Sequence, residues 1–260
     1  MAEKKINVKK LIAILMTVLF VVVLAASFFV ITTINKVNVH FSSGKNIDCA
    51  EVQKTLDANL GKSFFFVNEQ EVKDSLSIYP YAEVLSVSKS FPNVIEVSVK
   101  ERQEVYSIKV GEEVLVISET GHLLKIVPAA SYQPARDIIA MDIDTISITQ
   151  KELGKVIGTT SDQLFLTVLE MAKNVNLTDC IKEIFIDKYD APNELSDVEF
   201  ITYTGVRICV YKAEEKGVDK IRSAFDCYDK EITDYEKVSG TLIVGYDADN
   251  PTEATWSDFN

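Results

Sequence analysis

Chemistry at a protein site needs a nucleophile with its base, paired carboxylates, a set of metal ligands or a phosphate cradle, and this chain offers little of any. Its 260 residues include two histidines, His40 and His122. Both fall beside predicted strands, and His122 follows a turn glycine, which suits an exposed strand end better than a general base. Asp142 with Asp144, and Asp187 with Asp190, have the spacing of acid pairs. Neither pair has the glycine that a calcium loop requires at its turn, and acidic residues abound throughout, so a solvated face is expected. Cys49, Cys180, Cys209 and Cys227 are scattered, with no CxxC and no histidine near a cysteine pair, so zinc has no visible basis. The sequence leaves their pairing open, and small buried thiols are the simpler expectation. Neither GxxxxGK[ST] nor GxGxxG occurs. No catalytic residue, metal site or cofactor is expected, and hence no enzyme.

Recognition remains. An unpaired strand at the edge of a sheet presents a row of N–H and C=O groups to which another chain can add a strand. The run Thr241-Leu242-Ile243-Val244-Gly245-Tyr246 is short, uncharged and apolar, and is the candidate for a partner-binding edge. Its equal rival is a last core strand, and both readings stay open on these residues alone. The partner is not nucleic acid: 39 acidic residues against 27 basic ones give a net charge of −12, the wrong sign for a phosphate backbone.

The elements that must position such an edge begin with a membrane segment. Leu11 to Ile31 carries no charge, and its roughly 21 residues at ~1.5 Å each reach about 30 Å, the thickness of a hydrocarbon core. Lys4, Lys5, Lys9 and Lys10 precede it, which predicts residues 1–10 in the cytoplasm and everything past the 11–33 helix outside. Ala25-Ala26-Ser27 resembles a signal-peptidase site, but the apolar run continues beyond it through Ile31, so an uncleaved anchor is expected.

Beyond the anchor, KVNVHF alternates as a strand. Asp48 and Glu51 then form a capping box for a helix over roughly 48–60 closed by Gly61, and Asn68 with Glu71 forms another. Two strands follow, separated by Phe91-Pro92-Asn93; Ile95, Val97 and Val99 face one way and Glu96, Ser98 and Lys100 the other. Strand, helix, helix, strand, strand over 34–102 makes a small α+β domain, with the Phe64-Phe65-Phe66 run expected to fill its core. Residues 103–246 read as a larger β-rich domain with helices near 161–172 and 218–228. Asn176-Leu-Thr178 has the glycosylation pattern. Residues 247–260 lack periodicity and are expected to be an acidic disordered tail.

Gly61-Lys-Ser-Phe64-Phe65-Phe66-Val67, Tyr79-Pro80 with Glu83 to Val87, Phe91-Pro92-Asn93, Val97-Ser-Val99-Lys100-Glu101-Arg102 and Leu115-Val-Ile-Ser-Glu-Thr-Gly121-His-Leu123 stand in this order behind the anchor. In this the sequence resembles the FtsQ/DivIB family of bacterial cell-division proteins over roughly residues 8–126. It departs from the family pattern at Lys89-Ser90, Gln103-Glu104 and Ser118. The resemblance implies a POTRA-type module followed by a β domain. It also implies a non-catalytic, single-pass divisome scaffold at the septum that helps control septal peptidoglycan synthesis. The partners it implies are bitopic coiled-coil proteins of FtsB/DivIC and FtsL type, bound through the C-terminal part of the β domain. The alternative is a cell-surface sensor built on the same small fold, which predicts a concave pocket with convergent polar groups rather than an exposed sheet edge.

Overall fold

The lysine-flanked apolar run forms a single helix, α1 (Val8–Ile31), in a computed structural model that describes residues 8–42, 44–174, 180–188, 196–233 and 236–257. Among the described residues it is the one helix long and apolar enough to cross a membrane. Its few hydroxyls are satisfied within the helix: Thr17 donates to the Ala13 carbonyl at 2.9 Å and Ser27 to the Val23 carbonyl at 2.8 Å, as lipid-facing polar groups require. Asn176, Thr178 and Asp190 lie outside the described residues.

The chain divides into two compact units, Met1–Glu101 and Arg102–Asn260. In the first, α1 is followed by β1 (Lys36–Phe41), α2 (Cys49–Asp57), α3 (Glu69–Ser75), β2 (Ala82–Ser90) and β3 (Val94–Glu101). Asp48 caps α2 by accepting from the Ala50 and Glu51 N–H groups, and Asn68 caps α3 by accepting from Gln70. The sheet order is β1-β3-β2, with β3 parallel to β1 and antiparallel to β2. The alternation in β3 sends Ile95, Val97 and Val99 into a core shared with Val52 and Leu56 of α2 and Val72 of α3. Of the phenylalanine run, Phe64 packs against that core, whereas Phe65 and Phe66 are exposed. The core is already closed by the aliphatic faces of α2, α3 and β3, so there is room for one ring and not three.

The second unit contains β4 (Tyr106–Val110), β5 (Glu113–Ile117), β6 (Leu123–Pro128), β7 (Ile139–Asp142), β8 (Ile148–Gln150), β9 (Gly158–Thr159), α4 (Asp162–Asn174), β10 (Ile181–Asp187), β11 (Asp197–Thr202), β12 (Val206–Val210), α5 (Gly217–Lys230), β13 (Gly240–Val244) and β14 (Ala254–Ser257). Nine of these strands form one sheet in the order β14-β13-β12-β11-β10-β7-β4-β5-β6. Two antiparallel meanders, β4-β5-β6 and β10-β11-β12, are joined by β7, which pairs in parallel with both β4 and β10. Helices α4 and α5 contribute Leu164, Phe165, Val168, Ile221, Ala224 and Phe225 to one core with Ile108, Met141, Ile184, Phe200, Ile208 and Leu242 of the strands. The helices therefore cover one sheet face, and the alternate residues Lys109, Asp142, Phe185, Cys209 and Ile243 lie on the other.

Candidate docking surface

The C-terminal end of the large sheet is built by a crossover. The route β12–α5–β13 returns the chain parallel to β12, because a helix between two strands carries it back to the end where it began. Lys220, on the buried face of α5, fixes this corner: its ammonium donates to the Tyr211 carbonyl at 2.8 Å and the Lys212 carbonyl at 2.9 Å, while the residue is 1% exposed. Burial lowers its pKa below the ordinary lysine value, with Glu215 opposing that shift. Gly245, at φ +85°, passes so close that an added Cβ would lie 2.6 Å from the Tyr211 carbonyl oxygen, so the turn out of β13 has no room for a side chain.

Thr241, Leu242, Ile243 and Val244 form β13 as a strand, but β13 is not the edge. It pairs with β12 on one side and with β14 on the other, in the register Thr241 with Ser257, Leu242 with Trp256, Ile243 with Thr255 and Val244 with Ala254. Gly245 and Tyr246 lie past its end. The edge expected at Thr241–Tyr246 thus stands one strand further out. The stretch expected to be a disordered tail supplies it, through β14 at 254–257. The physical reason is Trp256, whose indole packs against Gly240 so closely that a Cβ there would lie 2.5 Å from its Cζ2. Gly240 itself adopts φ +144°, a conformation other residues rarely take. A glycine that accepts a ring and the only tryptophan in the chain, sixteen residues on, are the signal in the sequence for this pairing.

Beside this edge lies a groove of about 350 Å³ lined by Tyr211, Ile243, Tyr246, Asp247, Glu253 and Thr255. Tyr246 is 79% exposed and meets the Tyr211 ring edge-on at 5.7 Å. Burial, foremost, raises the pKa of Tyr211, and it pushes the neighbouring Cys209 thiol up to about 11, with Glu199 adding to the effect. The groove therefore offers aromatic surface, two carboxylates and a strand end, which suits an extended segment bearing basic side chains.

The other residues singled out by type are not drawn together. His122 bonds to the Thr120 hydroxyl through Nδ1 at 2.9 Å within its own turn, and His40 lies on β1 in the first unit. Asp142 accepts from the Asp144 N–H at 3.0 Å, a local turn contact. Among the described residues no group of three His, Cys, Asp or Glu side chains is placed to hold a metal ion. The sheet face opposite the helices also carries a concavity of about 650 Å³ over β4, β7 and β10, where Lys109, Asp142, Asp144 and Glu183 supply the charged groups.

Residues 35–102 match the family model for the FtsQ-type POTRA domain. The cell division protein DivIB of Clostridium botulinum (strain Loch Maree / Type A3) is 28% identical over 126 residues, covering 47% of this chain and 47% of the relative. DivIB of Clostridium acetobutylicum is 38% identical over 66 residues, covering 25% of this chain and 26% of its own length. The chain thus spans about half the length of the first of these relatives and a quarter of the second. The major extracytoplasmic domain of DivIB from Geobacillus stearothermophilus aligns with 12% identity and a TM-score of 0.28, over 51% of this chain and 98% of that one, a likeness too loose to bear on function.

Proposed function

We propose that this member of the FtsQ/DivIB family of cell-division proteins is a non-catalytic, membrane-anchored scaffold of the division machinery. It docks a bitopic coiled-coil partner of FtsB/DivIC type, together with an FtsL-type protein, and so helps control septal peptidoglycan synthesis. The observation that carries this reading is the end of the large sheet. Strand β14 pairs with β13 on one side and stands last in the strand order on the other, with the Tyr211–Tyr246 groove alongside. Thr241 to Tyr246 then serve as the floor and end of the docking surface, with β14 as its rim.

The Tyr211 N–H bonds to the Val244 carbonyl at 2.9 Å, which turns Val244 toward β12 and, by alternation along the strands, turns Ile243 and Thr255 toward each other. Ala254 therefore directs its N–H away from β13. Proline is tolerated where a strand's N–H points outward, so Ala254→Pro keeps the β13 ladder while removing a donor from the rim. In a titration of the full chain in nanodiscs with the partner's outer domain, Ala254→Pro is expected to weaken binding about tenfold, from a lost hydrogen bond and the ring's bulk. Unchanged affinity overturns the docking site. The division role is tested separately by imaging the full chain tagged at Met1: a midcell band is expected, and uniform envelope fluorescence favours a ligand-binding sensor that uses the concavity over β4, β7 and β10.

A further inference from the structure

Between α1 and the rest of the first unit there is no slack chain. Thr33 forms an antiparallel bridge with Ser63. The Ile34 N–H donates to the Lys62 carbonyl at 2.8 Å, the Gly61 N–H to the Ile34 carbonyl at 2.9 Å, and the Phe64 N–H to the Thr32 carbonyl at 2.8 Å. The Asn35 N–H donates to the Asn93 carbonyl at 3.1 Å, bringing the β2–β3 turn to the same end. The segment Leu60–Phe66 is thus laid directly against the last turn of α1, and the residues it carries are apolar and uncovered: Phe65 is 55% exposed, Phe66 85% and Leu60 43%, with Phe91 of the adjoining turn at 65%.

The rings define a depth. Phe28 stacks on Phe65 with centroids 5.8 Å apart, Phe65 meets Phe64 edge-on at 5.6 Å, and Phe64 meets Phe91 at 5.8 Å. Phe28 lies three residues before the end of α1, about 4.5 Å below it at ~1.5 Å per residue. With Lys10 held at the cytoplasmic headgroups, Phe28 stands roughly 27 Å further along the helix axis, inside the ~30 Å hydrocarbon slab or at its outer boundary. A ring stacked on Phe28 shares that depth. Lys36 and Lys62 adjoin the patch as exposed residues, and the Lys89 ammonium sits 5.6 Å from the Phe64 centroid, so cations border the apolar surface where lipid phosphates would lie.

We propose that Leu60, Phe65, Phe66 and Phe91 form an interfacial anchor that inserts the base of the first unit into the outer boundary of the bilayer. The occupant of this surface is lipid: the patch is continuous with a helix face that already contacts lipid, and aromatic rings flanked by lysine are the composition that partitions to that boundary. The inference rests on α1 spanning the membrane, and the experiment separates the two.

Trp256→Phe removes the chain's one native tryptophan, and single probes are then introduced as Phe66→Trp, Leu60→Trp and, within α1, Phe20→Trp. The full chain is reconstituted in vesicles of phosphatidylethanolamine and phosphatidylglycerol carrying either a headgroup nitroxide or mid-chain bromines. The F20W emission is expected to be quenched by the mid-chain bromines. F66W and L60W are expected to emit at shorter wavelength than a water-exposed indole and to lose roughly half their intensity to the headgroup nitroxide, as suits side chains buried at the headgroup–acyl boundary. If F20W is quenched while F66W and L60W emit as in water and are untouched by either label, the interfacial anchor is overturned and α1 stands. If F20W is not quenched, the membrane span fails and the anchor with it. Because Phe66 is the most exposed of the rings and Leu60 lies on the other side of Gly61, a folding defect in one variant leaves the other to decide.

Discussion

Adding one methyl group at Gly240 should release the last strand of the large sheet. Two costs act on Gly240→Ala. Alanine at φ +144° carries backbone strain of about 1–3 kcal/mol. The new Cβ also overlaps the Trp256 ring, which must move; giving up about 100 Å² of indole packing costs about 2.5 kcal/mol at ~25 cal/mol per Å². Together these approach about 4 kcal/mol, which for a unit of this size lowers Tm by about 10 °C. The overlap, but not the strain, is relieved if β14 detaches, so detachment precedes unfolding. Trp256 is the sole tryptophan and reports this directly: in Gly240→Ala its emission should shift to longer wavelength and its quenching by acrylamide should rise in the folded protein. Gly111→Ala is the control, with φ +60° but open space around the added Cβ; it should cost about 1 kcal/mol and leave Trp256 unchanged. If Gly240→Ala leaves both emission and quenching at wild-type values and lowers Tm no more than Gly111→Ala does, the packing of Trp256 on Gly240 does not hold β14.

Further expectations concern the corner beneath that strand. Lys220→Met removes the ammonium from the Tyr211 and Lys212 carbonyls, the second of which keeps the Glu215 N–H at 3.0 Å, and should destabilise the second unit by about 1–2 kcal/mol in urea unfolding. At alkaline pH the signs oppose. Cys209, raised from 9.0 to about 11, together with Tyr106 and Tyr211, also raised by burial, gives stability that is complete below the unfolded pKa values and is lost as pH rises through the folded ones. Lys220 is lowered from 10.5, so the unfolded chain holds more protons in that window and stability rises with pH. The unfolding midpoint of the second unit should therefore fall between pH 9 and 11, and fall more steeply in Lys220→Met; an equal slope in both removes Lys220 from the balance. Alkylation near neutral pH should modify exposed Cys49 first and leave Cys209 and Cys227, both raised by burial, protected until unfolding, as peptide mass mapping would record.

The elements of the first unit were legible because each rests on local pattern: the caps at Asp48 and Asn68, the period of two in β3, and the apolar length of α1. The rest depends on distant residues. Thr241–Val244 reads as a strand from its own composition, but whether it is an edge depends on its neighbour. That neighbour, Ala-Thr-Trp-Ser, lies half exposed behind an acidic loop and is held by the glycine that opens β13. Strand β7 is hidden for a related reason: its four residues lie beyond an irregular proline-containing link, and their place between two meanders comes only from pairing with β4 and β10. The phenylalanine run misleads in the other direction, since apolar residues declare a wish to leave water but not which apolar medium receives them.

The slackless passage from α1 into β1 makes the anchor a keyed shaft rather than a tether. Because the strand bridge at Thr33 and Ser63 holds the helix end in one azimuth, turning the helix about its own axis turns the whole first unit with it. A single residue inserted between Phe29 and Thr32 would swing that unit by about 100° relative to the lysines and small residues of the helix. Whichever face α1 offers to a neighbouring helix is thereby geared to the compass heading of the small α+β fold that follows it in the chain.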